Sequence, residues 1–136
     1  MKPEAAEFLG HARRMLERAP RTLRVSLFED AGRTAYMAAF HAAQALIFER
    51  EDRVMKTHHG VRSEFHRITR GVPGIDAGID PNLPAFLSRA YRMKTAADYE
   101  LGGDMQPSPE EVIITLDAAS QFVVAITNAI STPTSP

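Results

Sequence analysis

The chain has 136 residues, enough for one domain with its own core, and no cysteine, which excludes a disulfide framework and any thiolate zinc site. Sixteen Lys and Arg against seventeen Asp and Glu leave a formal charge of −1, so any nucleic-acid contact has to come from a local cluster rather than a global field. The opening Met-Lys-Pro-Glu-Ala-Ala-Glu is charged and helix-like, with no apolar stretch leading to a small-residue cleavage site, so the expected location is cytoplasmic.

Between Pro3 and Ala19, the residues Ala5, Phe8, Leu9, Ala12, Met15, Leu16 and Ala19 recur at the three- and four-residue steps of one helical face. Pro3 suits the first turn, and Pro20 is expected to lie beyond the last one. A short connection, Arg21 to Ser26, leads to a second helix from about Leu27 to Arg50, with Ser26 as N-cap and Glu29 as its capping-box partner. From Ala35 to Phe48 this helix carries only His41 and Gln44 as polar side chains without a large apolar body. A helix apolar on nearly every side has to be surrounded. The run is shorter than the roughly 20 residues of a bilayer span, so it reads as the central helix of a bundle with no membrane role.

Thr57 can cap a third helix in which Val61, Phe65, Ile68 and Val72 share one face, although Gly60 in its first turn is a poor helix former. Gly71, Pro73, Gly74 and Gly78 then open a loop that reaches Pro81 and Pro84. Leu83, Phe86, Leu87, Ala90, Tyr91 and Ala97 form the stripe of a fourth helix, with Arg89, Arg92 and Lys94 outward. Paired glycines at 102 and 103 break the chain before Ser108-Pro-Glu-Glu111, which supplies an N-cap, a proline at the first helical position and a capping-box Glu. The last helix carries Val112, Leu116, Ala119, Val123, Ile126 and Ile130, widened by Ile113, Ile114, Phe122 and Val124. It is therefore expected to be mostly buried in the bundle or partly against another subunit. The expectation is an all-α, up-and-down bundle of about five helices over residues 1–130, with 131–136 as a disordered tail.

Three groups of residues can carry chemistry. On the central helix, Arg33, Tyr36, Met37, His41 and Gln44 lie on roughly one side, either as a hydrogen-bonded core set or as the floor of a cleft. In Lys56-Thr-His-His-Gly-Val-Arg-Ser-Glu-Phe-His-Arg67, either His58 or His59 joins Arg62 and His66 on one helix face, with Arg67 and Arg70 beside it. Such a face binds phosphate, as do the amides of the helix start at Thr57, or it is simply solvated. His59 and His66 are about 10 Å apart along a helix axis, too far to share a metal, so no metal site and no cofactor is expected. The third group is Arg89 to Glu100 at the end of the fourth helix, where Arg92, Asp98 and Tyr99 read as ion pairing and capping on composition alone.

Together, Arg33-Thr-Ala-Tyr-Met-Ala-Ala-Phe-His-Ala-Ala-Gln-Ala-Leu46, Lys56-Thr-His-His-Gly-Val-Arg-Ser-Glu-Phe-His66, and Ala90-Tyr-Arg with Ala97-Asp-Tyr resemble the HEPN domains (higher eukaryotes and prokaryotes nucleotide-binding), over about residues 5 to 130. The nearest branch is the small stand-alone prokaryotic one. The resemblance implies a helical bundle that forms a homodimer, binds RNA or a nucleotide, and pairs with a minimal nucleotidyltransferase as a toxin–antitoxin couple.

Active members cut RNA without a metal, using an Arg followed four to six residues later by a His, one copy from each subunit. Arg stabilises charge on the phosphate while His moves a proton at the 2′-hydroxyl. Arg92 matches the motif Arg and Tyr99 a tyrosine that often follows, but Ala97 and Asp98 stand where the His is expected. An ionised Asp98 only accepts hydrogen bonds and does not replace an imidazole as both acid and base. The resemblance therefore leaves Arg92, Asp98, Tyr99 and His41 as catalytic candidates, with Arg33, Tyr36, His59, Arg62 and His66 for RNA or ligand contact. The rival readings are a metal-independent endoribonuclease, in which His41 or His66 reaches Arg92 from a neighbouring helix, and a non-catalytic helical scaffold.

Overall fold

A computed structural model describes residues 1–24, 28–69, 83–98 and 108–131. They form five α-helices: α1 (Pro3–Arg24), α2 (Phe28–Glu51), α3 (His58–Thr69), α4 (Leu83–Asp98) and α5 (Pro109–Ser131). No strand occurs among the described residues.

The central position of α2 follows from its composition. It packs against each of the other four helices. From Ala35 to Ile47 only Met37 and His41 escape full burial. Six alanines in that run, Ala35, Ala38, Ala39, Ala42, Ala43 and Ala45, keep the helix slim, so its neighbours approach closely. Larger side chains then fill the space between the outer helices. Phe122 of α5 joins three of them, with ring centroids 5.4 Å from Phe65 of α3 and 5.4 Å from Phe86 of α4.

Two helix starts show the capping anticipated from the sequence. The amide of Gly60 donates to Thr57 Oγ1 at 2.9 Å, and that of Glu111 donates to Ser108 Oγ at 3.2 Å. Gly60, a poor helix former, is here required by packing. A Cβ at this position would stand 2.7 Å from Thr57 Oγ1 and 2.9 Å from the Met55 methyl, so the residue that weakens the helix is what lets its cap close. At the other end of α2, Asp52 adopts a left-handed conformation (φ 56°) and its amide donates to the carbonyl of Phe48. Lys2 fastens the N-terminus there, its Nζ lying 2.6 Å from Asp52 Oδ1 and its amide donating to Glu49 Oε1.

Two expectations need correction. The first helix does not stop near Ala19 but runs through Pro20 to Arg24. Proline removes one amide donor, the one that would reach the carbonyl of Leu16, yet its fixed φ is compatible with a helix and the following amides carry the ladder on. The last helix is not mostly buried. Val112, Ala119, Phe122, Val123, Ile126 and Ile130 face the core, whereas Ile113, Ile114 and Val124 are 53%, 68% and 58% exposed. By length and mean hydropathy alone α5 passes for a membrane span, but its core-facing stripe packs inside the bundle. The cap expected at Ser26, the end of the third helix at Val72 and the loop through Pro81 lie outside the described residues.

Candidate functional site

The polar residues of the central helix divide between two sides of Phe40. On one side His41 Nδ1 donates to Gln44 Oε1 at 2.8 Å, the geometry expected for side chains three residues apart on one helix. Gln44, 6% exposed, passes the connection on: its Nε2 donates to the carbonyl of Met55 at 2.8 Å. The pair therefore ties α2 to the turn that launches α3. The His41 ring also lies 5.5 Å from that of His11 on α1. Burial lowers the His41 pKa below the ordinary imidazole value, the Gln44 hydrogen bond opposes this, and His11 adds to the lowering. A half-buried imidazole held neutral between an amide and a second imidazole has a structural place.

On the other side, three helices converge. Tyr36 of α2, fully buried, has its hydroxyl 2.9 Å from Nδ1 of His58 at the start of α3. The His58 ring stacks 5.1 Å from Phe40, 5.4 Å from Tyr36 and 5.5 Å from Tyr91 of α4, and Tyr36 and Tyr91 meet edge-on at 5.3 Å. Arg62, one turn along α3 from His58, lays its guanidinium over the Tyr91 ring with 3.9 Å to the centroid, and its Nε points to the His58 carbonyl. Burial drives the Tyr36 phenol pKa far upward, an effect that Arg62 partly offsets and Tyr91 reinforces. Tyr36 therefore stays protonated at any physiological pH. Its contact with Nδ1 fixes the His58 ring.

The chain reaches this geometry by local rules. Tyr36 and Phe40 are four apart and share a face of α2. His58 and Arg62 are likewise four apart on α3, and the cap at Thr57 sets where that helix begins. His58 therefore faces inward, while His59, one residue on and about 100° around the helix, is exposed. Of the two histidines left open from the sequence, the structure selects His58 and places His59 in solvent. His66 is exposed on the same helix. Arg67, counted as free charge from sequence, is engaged with Glu64 at 2.8 Å and with Glu51. The Gly60 amide, one of those considered for phosphate, is taken by Thr57.

The other candidates fall as follows. Arg33 is half-buried on α2, one turn before Tyr36. Arg92 is exposed on α4, immediately after Tyr91, and Arg89 is exposed one turn earlier. Asp98 closes α4 but its side chain, like Tyr99, lies outside the described residues. The imidazole adjoining the Arg92 helix is thus His58, through Tyr91, whereas His41 reaches toward His11 and Gln44. Tyr91 was read as part of an apolar stripe and of the Ala90-Tyr-Arg stretch that carries the HEPN resemblance, with no contact of its own assigned. A tyrosine in a stripe otherwise made of Leu, Phe and Ala, next to two arginines, was the signal that could have marked it. Among the described residues no group of three or more His, Asp or Glu is placed to hold a metal ion.

No curated protein matches the chain. A family model described as the HEPN domain matches residues 5–128, which span all five helices and every residue of the Tyr36, His58, Arg62 and Tyr91 cluster. A helical bundle carrying these stretches in this order, matched along nearly its whole length, places the protein: the chain belongs to the HEPN family.

Proposed function

We propose that this protein binds RNA or a nucleotide at the face formed by α3 and α4, works as a homodimer in the cytoplasm, and partners a minimal nucleotidyltransferase in a toxin–antitoxin-like pair. Family membership supports a nucleotide- or RNA-related role. The observation that carries the site is Arg62 stacked on Tyr91 at 3.9 Å. A guanidinium held over a phenol ring is oriented in advance, and it keeps its edge for a phosphate or its plane for a base. On the same two helices His59 and His66 of α3 and Arg92 of α4 are exposed, so local cations are available on a chain whose overall charge is near zero.

The test is RNA binding measured over a salt series. Affinity falls as salt rises, and Arg62→Ala weakens binding about tenfold, worth ~1.4 kcal/mol, while Arg92→Ala flattens the salt slope by about one counterion. Binding indifferent to salt would favour the scaffold reading instead.

A second reading, metal-independent endoribonuclease, is favoured by the Tyr36–His58 hydrogen bond. In it His58 Nδ1–H donates to the Tyr36 phenol oxygen, so the unprotonated Nε2 takes the proton of the ribose 2′-hydroxyl, the freed oxygen attacks the adjacent phosphorus, and the bond to the 5′ oxygen breaks, that oxygen taking a proton from water. Arg92 balances the charge that grows on the phosphate. Incubation with RNA in chelator separates the two readings. Cleavage by the native chain that is lost in both His58→Ala and Arg92→Ala supports the enzyme; intact RNA in all three supports binding alone.

A further inference from the structure

We infer that the seam between α1 and α2 binds one copper(I) ion, through the imidazoles of His11 and His41 and the thioethers of Met15 and Met37. The site lies across Phe40 from His58 and is independent of the RNA reading. The His11 and His41 ring centroids are 5.5 Å apart, with their planes tilted by 34°. An ion about 2 Å from a ring nitrogen stands roughly 3 Å from that ring's centroid, so two imidazoles sharing it at a tetrahedral angle have centroids about 5 Å apart. The observed spacing fits. What His59 and His66 cannot offer along one helix is offered here by two neighbouring helices.

His41 is set up as a ligand by its own contacts. Gln44 uses its amide nitrogen on the Met55 carbonyl, so its Oε1 faces His41 and accepts from Nδ1–H. The lone pair therefore sits on Nε2, and the ring is oriented by an outer hydrogen bond, as metal-bound histidines are. Burial and the neighbouring His11 both lower its pKa, which keeps it in the neutral form that binds metal. The methionines follow from the helix register. Lys2 is set against Glu49 and Asp52, and His11 against His41, so α2 recedes as α1 advances and Met15 comes level with Met37. Met15 lies one turn from His11, and Met37 one turn from His41, so all four residues border one stretch of the seam. Both methionines are half-buried against the core, and three rotatable bonds let a thioether turn to an ion. Among the described residues no Asp or Glu completes a metal-binding group with the two histidines. Two imidazoles and two thioethers are uncharged and soft, which selects monovalent copper over a divalent ion that would keep its whole charge in a half-buried seam.

The test is titration of the full chain with copper(I), under ascorbate and without oxygen, against a chromophoric cuprous chelator. One ion per chain is expected to leave the chelator. His11→Ala weakens binding by about tenfold or more, and Met15→Leu and Met37→Leu, which keep the volume but remove the sulfur, each weaken it severalfold. His11 is exposed, so the metal-free His11→Ala chain keeps the native unfolding midpoint and its lost affinity is the loss of a ligand. X-ray absorption at the copper edge reads the donors directly, with nitrogen and sulfur expected together. A shell of nitrogen alone, copper that survives His11→Ala, or Zn²⁺ that displaces copper(I) at equal concentration overturns the site.

Discussion

His41 and His58 stand on either side of Phe40, whose ring lies 5.7 Å from the first and 5.1 Å from the second, and each imidazole has a hydrogen bond through Nδ1. What differs is the partner. His41 is bonded to an amide that is itself bonded to the Met55 carbonyl, so the chain of contacts ends in backbone. His58 is bonded to a phenol and stacked on Tyr91, so its contacts lead through Arg62 to the surface of α3 and α4. An imidazole that ends a backbone-directed chain holds the fold. One that leads to exposed cations is placed to meet a ligand. The same residue type, near the same ring, thus has a backbone-directed partner on the α1 side and a surface-directed one on the α4 side.

The largest expected effect falls on the architectural side. Gln44→Leu removes both links and leaves the Met55 carbonyl and His41 Nδ1 without their partner, at about 1–3 kcal/mol for each unsatisfied group. Urea unfolding should show a total loss of roughly 3 kcal/mol, with RNA affinity of the folded protein little changed. RNA affinity that collapses while stability holds would reverse the two roles. Tyr36→Phe is the milder counterpart on the other side. It removes one hydroxyl from a fully buried ring and should cost about 1 kcal/mol in the same unfolding measurement, together with any RNA cleavage that depends on an oriented His58.

The smallest effect concerns pH. Because the folded His41 has a lowered pKa, the unfolded chain binds more protons in the acid range. The stability contributed by neutral His41 is fully present above the ordinary imidazole pKa and declines as pH falls below it toward the folded value. Unfolding midpoints should therefore drop between neutral pH and about pH 5, and His41→Gln should flatten that slope. An unchanged slope in the variant would place the acid sensitivity elsewhere.

Much of this arrangement was legible before any coordinate. Helical periodicity identified five helices, and the caps at Thr57 and Ser108 followed from residue type and spacing alone. The pairing of His41 with Gln44 followed from their separation of three on one helix. The pairing of Tyr36 with His58 did not, because it joins residues on different helices, and a sequence does not state how far α3 is rotated about its own axis. For the same reason His59 and His58 were equivalent on paper, and Tyr91 looked like one more apolar residue. The extension of α1 through Pro20 was hidden as well, since proline weakens a helix by one donor without forbidding it.

What the sequence by itself determined is that α2 must be surrounded. Its alanine-rich surface has no polar side on which to meet water, so any stable fold of this chain places it at the centre. Only the tertiary structure decided which histidine meets Tyr36, that Arg62 lies over Tyr91, and that Ile113, Ile114 and Val124 of an equally apolar α5 remain outside. The reason is geometric. Hydrophobicity states that surface should be buried, but a helix placed at the rim of a five-helix bundle has neighbours on one side only, and the surplus on its other side is set by packing around α2.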